Sequence, residues 1–241
     1  MSILSMENVV AGYGRKRILH DVNLAVMPGE IFGLVGLNGA GKTTLIKTLT
    51  GLHAIDSGKI SVFSHSAEDQ KSRENLAFLP EQFLPSLHLR GWEFLQLTLA
   101  YYHLPLDRDA AITLAHKMGL DETALSRKIT TFSKGMGQKI GLIGTLMTKR
   151  PLLILDEPMS GLDPLVRIGL KDALTSYRNA GHSIFFSSHI LADMEELCDR
   201  IAVLHEGCIR YVGSPHELRT MHGEPTLERA FLKVISEKTP E

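Results

Sequence analysis

The chain has 241 residues, with 26 basic side chains against 27 acidic ones and a net charge of −1. That balance argues against a protein whose main task is non-specific nucleic-acid binding, and the length suits one large domain or two small ones with a buried core. Cys198 and Cys208 form no CxxC pair and stand among no ligand-spaced histidines, so two ordinary thiols in a reduced, cytosolic compartment are expected.

The first residues lack the basic-then-apolar pattern of a signal peptide. The stretch from Phe94 to Leu106 is the longest apolar-leaning run without charge. It contains Gln96, His103 and Pro105 and falls short of the ~20 apolar residues a membrane helix needs. A protein soluble by itself is expected. Residues 3–35 alternate as strands do, with Val22, Leu24 and Val26 on one face, before Pro28-Gly29 turns the chain. Gly12-Tyr13-Gly14 fails as a dinucleotide fingerprint, because Arg17 stands where the third glycine belongs and no helix pattern follows. Tyr13 is open to two readings, a packed tyrosine or a ring stacked on adenine.

Ile31 to Val35 reads as a buried strand and Leu45 to Leu49 as the start of a helix. Between them lies Gly36-Leu37-Asn38-Gly39-Ala40-Gly41-Lys42-Thr43-Thr44. Strand, glycine-rich loop, Lys-Thr and helix together form a phosphate-binding loop. Triphosphate oxygens need many donors at close range, and glycines let backbone N–H groups turn inward with no Cβ in the way. The helix dipole adds positive potential, Lys42 is expected on the β- and γ-phosphates, and the Thr43 hydroxyl on Mg²⁺. The chain is expected to bind a nucleoside triphosphate.

Downstream, Ser57-Gly58 reads as a turn into the strand Lys59 to Phe63, and Glu68 to Asn75 as a polar connection. Leu76 to Leu79 is a brief strand ended by Pro80, and from Leu87 to about Asp121 the pattern is helical. Leu95, Leu99 and Tyr102 share one helical face; Ala111, Leu114, Ala115 and Met118 share another. Ser133 is the N-cap candidate of a further helix, in which Gly137, Gly141 and Gly144 predict close packing, and Lys149-Arg150 suits its C-terminus. The apolar run Leu152 to Leu155 ends in Asp156-Glu157, and Asp156 fits a Mg²⁺ role. Asp163 caps a helix that opens with Pro164. The strand Ser183 to Phe186 leads to His189, which faces the ligand edge expected of an open α/β sheet. The strand Arg200 to Leu204, a hairpin through Glu206-Gly207 to Val212, and helices over 214–241 complete the chain. His205-Glu206 and His216-Glu217 lack the second histidine of a zinc protease.

With these stretches located, the chain resembles the ATP-binding subunit of an ATP-binding cassette (ABC) transporter over roughly 3–220, in matching order and spacing. Phe132-Ser133-Lys134-Gly135-Met136 is similar to the family's Leu-Ser-Gly-Gly-Gln signature, in a variant associated with exporter-like (ABC-2 type) subunits. The resemblance implies an α/β P-loop NTPase core (1–79 and 151–220) with an N-terminal antiparallel β subdomain. It further implies an inserted helical subdomain (about 80–150) and a C-terminal helix and tail (221–241), all one ATPase domain. It puts Tyr13 on adenine and ATP on Gly36, Asn38, Gly39, Ala40, Gly41, Lys42, Thr43 and Thr44. Mg²⁺ falls to Thr43, Asp156 and one of Glu81 and Gln82, because Glu81 stands where the family's glutamine follows proline. Glu157 is the implied general base and His189 the γ-phosphate switch, acting with Lys42. Asp163 belongs to the loop that communicates across a dimer, while Ser133 and Gly135 bind the γ-phosphate of ATP held by an opposite subunit.

The implied partners are a second ATPase subunit, identical or not, and a membrane-spanning permease received near Trp92 and Phe94. That places the chain on the cytoplasmic face of a membrane, with no nucleic acid expected. The rival is a soluble ABC ATPase in DNA maintenance or ribosome-associated work. Against it, residues 45–132 hold no long coiled coil and the chain carries one cassette.

Overall fold

β1 (Leu4–Tyr13) and β2 (Lys16–Val26) form a hairpin whose tip is Gly14-Arg15, with Tyr13 paired to Lys16. Val22, Leu24 and Val26 turn inward together, as their alternation predicts. β3 (Ile31–Val35) is buried at every position, so it belongs inside a sheet covered on both faces. α1 (Lys42–Leu49) follows the glycine loop, and β4 (Ser57–Val62) and β5 (His65–Ser66) join β1 and β2 in an antiparallel sheet ordered β2-β1-β4-β5. Ser57-Gly58, expected as a turn, is the start of β4. The computed structural model describes residues 2–236, and the charged tail at 237–241 lies outside the described residues.

The polar connection holds a short helix, α2 (Gln70–Glu74), whose Ser72 is buried and donates its hydroxyl to the Asp69 carbonyl at 2.7 Å. β6 (Leu76–Leu79) follows. The helical stretch divides into α3 (Gly91–Tyr101) and α4 (Arg108–Lys117), parted where His103 takes a φ of 58° and Pro105 follows. Two 3-10 turns, Glu122–Ser126 and Ile129–Thr131, lead to α5 (Lys134–Met147). Then come β7 (Leu152–Leu155), α6 (Pro164–Asn179), β8 (Ser183–Ser188), α7 (Leu191–Leu197), β9 (Arg200–His205), β10 (Cys208–Gly213), α8 (Pro215–His222) and α9 (Leu227–Ser236).

The second sheet runs β10-β9-β3-β8-β7-β6, antiparallel only between β10 and β9. Its faces carry separate cores. Phe32 and Phe185, stacked at 5.8 Å, pack with α1 and the antiparallel sheet, whereas Ile184 and Phe186 pack with the helical layer. Register aligns Val35 with Ser188 and Leu155 with Phe186 and Leu79, so β3, β6, β7 and β8 end at one edge. The segments leaving that edge are the glycine loop, Glu81, Asp156-Glu157 and His189.

Helix packing shows why small residues sit where they do. A Cβ on Gly141 would lie 2.6 Å from the Phe83 ring, which makes room for α5 against the segment after β6. Gly169 of α6 is tighter, for its Cβ would stand 2.0 Å from the Lys117 carbonyl oxygen at the end of α4. Gly169→Ala therefore forces two backbones apart. The cost, about 1–3 kcal/mol, outweighs the ~1 kcal/mol that alanine normally gains in a helix. A lowered urea midpoint is expected; an unchanged or higher one would show that α4 and α6 are not held this closely.

Of the basic pair that follows α5, Lys149 closes the helix end, its N–H donating to the Leu146 carbonyl at 3.3 Å, while Arg150 turns away from it. Lys149 adopts a φ of 49°, and Arg150 turns to α3, donating to the Tyr102 carbonyl at 2.7 Å with its guanidinium 4.8 Å from the Tyr102 ring centre. Tyr177 of α6 donates its hydroxyl to the Arg150 carbonyl, and burial holds that phenol well above its ordinary pKa. No helix among the described residues is long and apolar enough to cross a membrane.

Candidate functional site

The glycine loop turns sharply into α1. Gly41 takes a φ of 109°, a conformation closed to L side chains, and no side chain caps the helix that begins at Lys42. The first amides of α1 are therefore left to a ligand or water. Ala40 donates its N–H to the Leu37 carbonyl at 3.1 Å, closing the turn from within. Lys42 lies across the loop, donating to the Gly36 carbonyl at 2.8 Å.

The acidic pair arrives from β7. Asp156 is buried, and its two carboxylate oxygens accept from the Thr43 hydroxyl at 3.0 Å and the Ser187 hydroxyl at 2.6 Å. Ser187 accepts in turn from the Glu157 N–H at 2.9 Å. Glu157, also buried, has a φ of 49°, which costs about 1–2 kcal/mol for a residue with a side chain. That turn aims its carboxylate back over the loop. One oxygen pairs with the Lys42 ammonium at 3.2 Å and the other meets His189 Nδ1 at 2.8 Å. A buried carboxylate needs such partners.

These residues surround a cleft of about 590 Å³, within the size range of small-molecule sites. Among the described residues no group of three or more His, Cys, Asp or Glu makes a metal cage. The Thr43 hydroxyl and the Asp156 carboxylate are adjacent hard oxygens. They fit a Mg²⁺ ion that takes the rest of its shell from water and phosphate.

Asn38, Gly39, Gly41, Lys42, Thr43, Thr44, Glu81, Glu157 and His189 all line the cleft. Gly36 and Ala40 do not: Gly36 presents its carbonyl to Lys42, and Ala40 packs into the core. Asp156 lies behind Thr43. Of the two residues after Pro80, Glu81 is on the cleft wall, whereas Gln82 is exposed outside it. Tyr13 stands off the walls, half-exposed and stacked on His53. Ser133 and Gly135 lie at the start of α5, away from the cleft, with the Ser133 hydroxyl accepting from the Met136 N–H at 3.2 Å. Asp163 caps α6 through the Val166 N–H and faces Lys139 at 3.9 Å.

Leu37 of the loop lines the cleft too, as do Lys16, Ile18 and Ser160, which no motif marks for it. Lys16 and Ile18 arrive only because the first hairpin folds over the loop. Ser187 did leave a signal, a fully buried hydroxyl following the apolar run Ile184 to Phe186.

A glycine loop joining a buried strand to a helix, faced by an acidic pair on a parallel strand of the same sheet edge, defines a P-loop NTPase fold. The sequence profile of the ABC transporter family matches residues 19–160. An uncharacterised ABC transporter ATP-binding protein of Nostoc sp., all4389, is 39% identical over 203 residues, covering 83% of this chain and 61% of the relative. The chain thus spans less than two thirds of that relative's length. The ABC-type transporter ATP-binding protein EcsA of Bacillus subtilis is 33% identical over 98% of both chains. A solved ATP-binding subunit of an ABC transporter superposes with a TM-score of 0.90 at 32% identity, covering 97% of this chain and 99% of that one. The chain belongs to the ABC transporter family, as an ATP-binding subunit.

Proposed function

We propose that the chain binds and hydrolyses MgATP to drive a separate membrane-spanning subunit, at the cytoplasmic face of the membrane and in the direction of export. The observation that carries this reading is the joining of Lys42, Glu157 and His189 at the phosphate loop. Lys42 would move from Glu157 to the β- and γ-phosphates. Thr43 and Asp156 would hold Mg²⁺, which screens the phosphate charge, with Glu81 rather than Gln82 reaching toward it. Glu157, released from Lys42, would take a proton from the attacking water, and His189 would contact the γ-phosphate. Ser133 and Gly135 do not line their own chain's cleft, which supports a site completed by a second subunit facing head to tail. The export direction rests on the signature variant at Lys134 and Met136.

The membrane partner's seat, in this reading, is the apolar groove of about 320 Å³ between the segment after Gln82 and α3. Phe83 and Phe94 floor it, and Leu84, Leu97 and Tyr101 stand exposed around it. Purification from membranes in mild detergent is expected to bring an integral membrane protein with the chain. Changing Leu97 and Tyr101 together to Asp is expected to break that association while leaving ATP binding intact. Recovery of the chain with ribosomes or DNA, or association indifferent to the double substitution, would overturn the assignment.

A further inference from the structure

Tyr13 is expected to stack on the nucleotide base, yet it sits at the tip of a two-residue hairpin turn, where a ring is poorly held by its own strand. The structure shows what holds it. The His53 ring lies 4.4 Å from the Tyr13 ring, centre to centre, with the planes tilted by 30°. His53 Nε2 is 2.8 Å from the carbonyl oxygen of Gly12, so this nitrogen carries the proton and donates it to the residue just before Tyr13. His53 is itself anchored: its N–H donates to the Lys47 carbonyl at 3.1 Å, in the last turn of the helix that begins at the phosphate loop.

We propose that His53 is the positioning residue of the base-binding end of the site, a platform that stacks beneath Tyr13 and leaves the other ring face to the nucleobase. The inference rests on the reading of Tyr13 as the base-stacking residue. The half-exposed Tyr13 ring has one face on His53, so a base adds the third layer of a pile rather than pinning a loose side chain. The ordering cost is met before the ligand arrives. Through Lys47 and α1, the platform also sets the distance between the base end and the phosphate end. One helix carries Lys42 at its start and His53 just beyond its end.

Binding of ATP and of inorganic triphosphate, measured on the purified full chain, tests this. His53→Ala is expected to weaken ATP about three- to tenfold, the range for losing one ring stack and one hydrogen bond, while triphosphate binding stays unchanged. His53→Phe keeps the ring without the donor, and His53→Gln keeps a donor without the ring; each is expected to restore part of the loss. Unaltered ATP binding in His53→Ala would overturn the role of His53. Equal weakening of ATP and triphosphate would overturn it too, since a general loss of structure does not discriminate by base. Tyr13→Ala, measured alongside, separates the two levels. If it weakens ATP and His53→Ala does not, the platform alone fails; if it has no effect, the stacking reading itself is wrong.

Discussion

Glu157→Gln is expected to lower ATP turnover by about 10²–10⁴-fold, the usual contribution of a positioned general base, while ATP still binds. The carboxamide fills the same space and still meets His189, but it accepts no proton from water. It also releases Lys42 from a buried ion pair that otherwise competes with phosphate for the ammonium. Affinity for ATP is therefore expected to hold or rise, and the ATP-bound dimer to accumulate because it cannot discharge. Phosphate release and light scattering with ATP read the two effects. Near-normal hydrolysis would remove Glu157 from the chemistry and leave it a structural partner of Lys42.

Ser133→Arg is expected to abolish ATP-driven dimerisation without weakening ATP binding to the single chain. Ser133 does not line the cleft of its own subunit, so nucleotide binding to the single chain is expected to survive a long cation there. At the junction with a second subunit it would fill the space meant for a γ-phosphate. The substitution also removes a helix cap, worth about 0.5–2 kcal/mol, so Ser133→Asp is the companion variant. Aspartate caps α5 as well as serine does, yet its charge opposes phosphate. Both variants should be monomeric with ATP, even with Glu157→Gln in the same chain. Dimerisation by either would remove Ser133 from the shared site.

The parts of the fold legible in the sequence are those set by local rules. The glycine loop, its Lys-Thr and the following helix form one contiguous device, and β7 is apolar at every position, as is the centre of β8 (Ile184 to Phe186), because both faces are covered. Ser133, Asp163 and Pro164 announced their helix starts by residue type. α2 was not legible, because five polar residues with a single buried serine show no period. Ser57-Gly58 read as a turn because glycine usually marks one. Here Gly58 instead lets β4 pass close to Asn8, whose carbonyl a Cβ would strike at 2.4 Å. Within the site, the residues carried by the edge of the parallel sheet were readable from strand ends. Lys16 and Ile18 were not, since the first hairpin delivers them across the loop.

Ser187 has a consequence beyond its two hydrogen bonds. Its single oxygen donates to the Asp156 carboxylate and accepts from the Glu157 N–H, so one side chain on the neighbouring strand ties the first carboxylate to the backbone that carries the second. It sits on β8 while both carboxylates follow β7, and two residues later β8 delivers His189. The two strands thus work like the scales of a vernier with one shared mark. A slip between them would disturb the Asp156 carboxylate and the Glu157 backbone together.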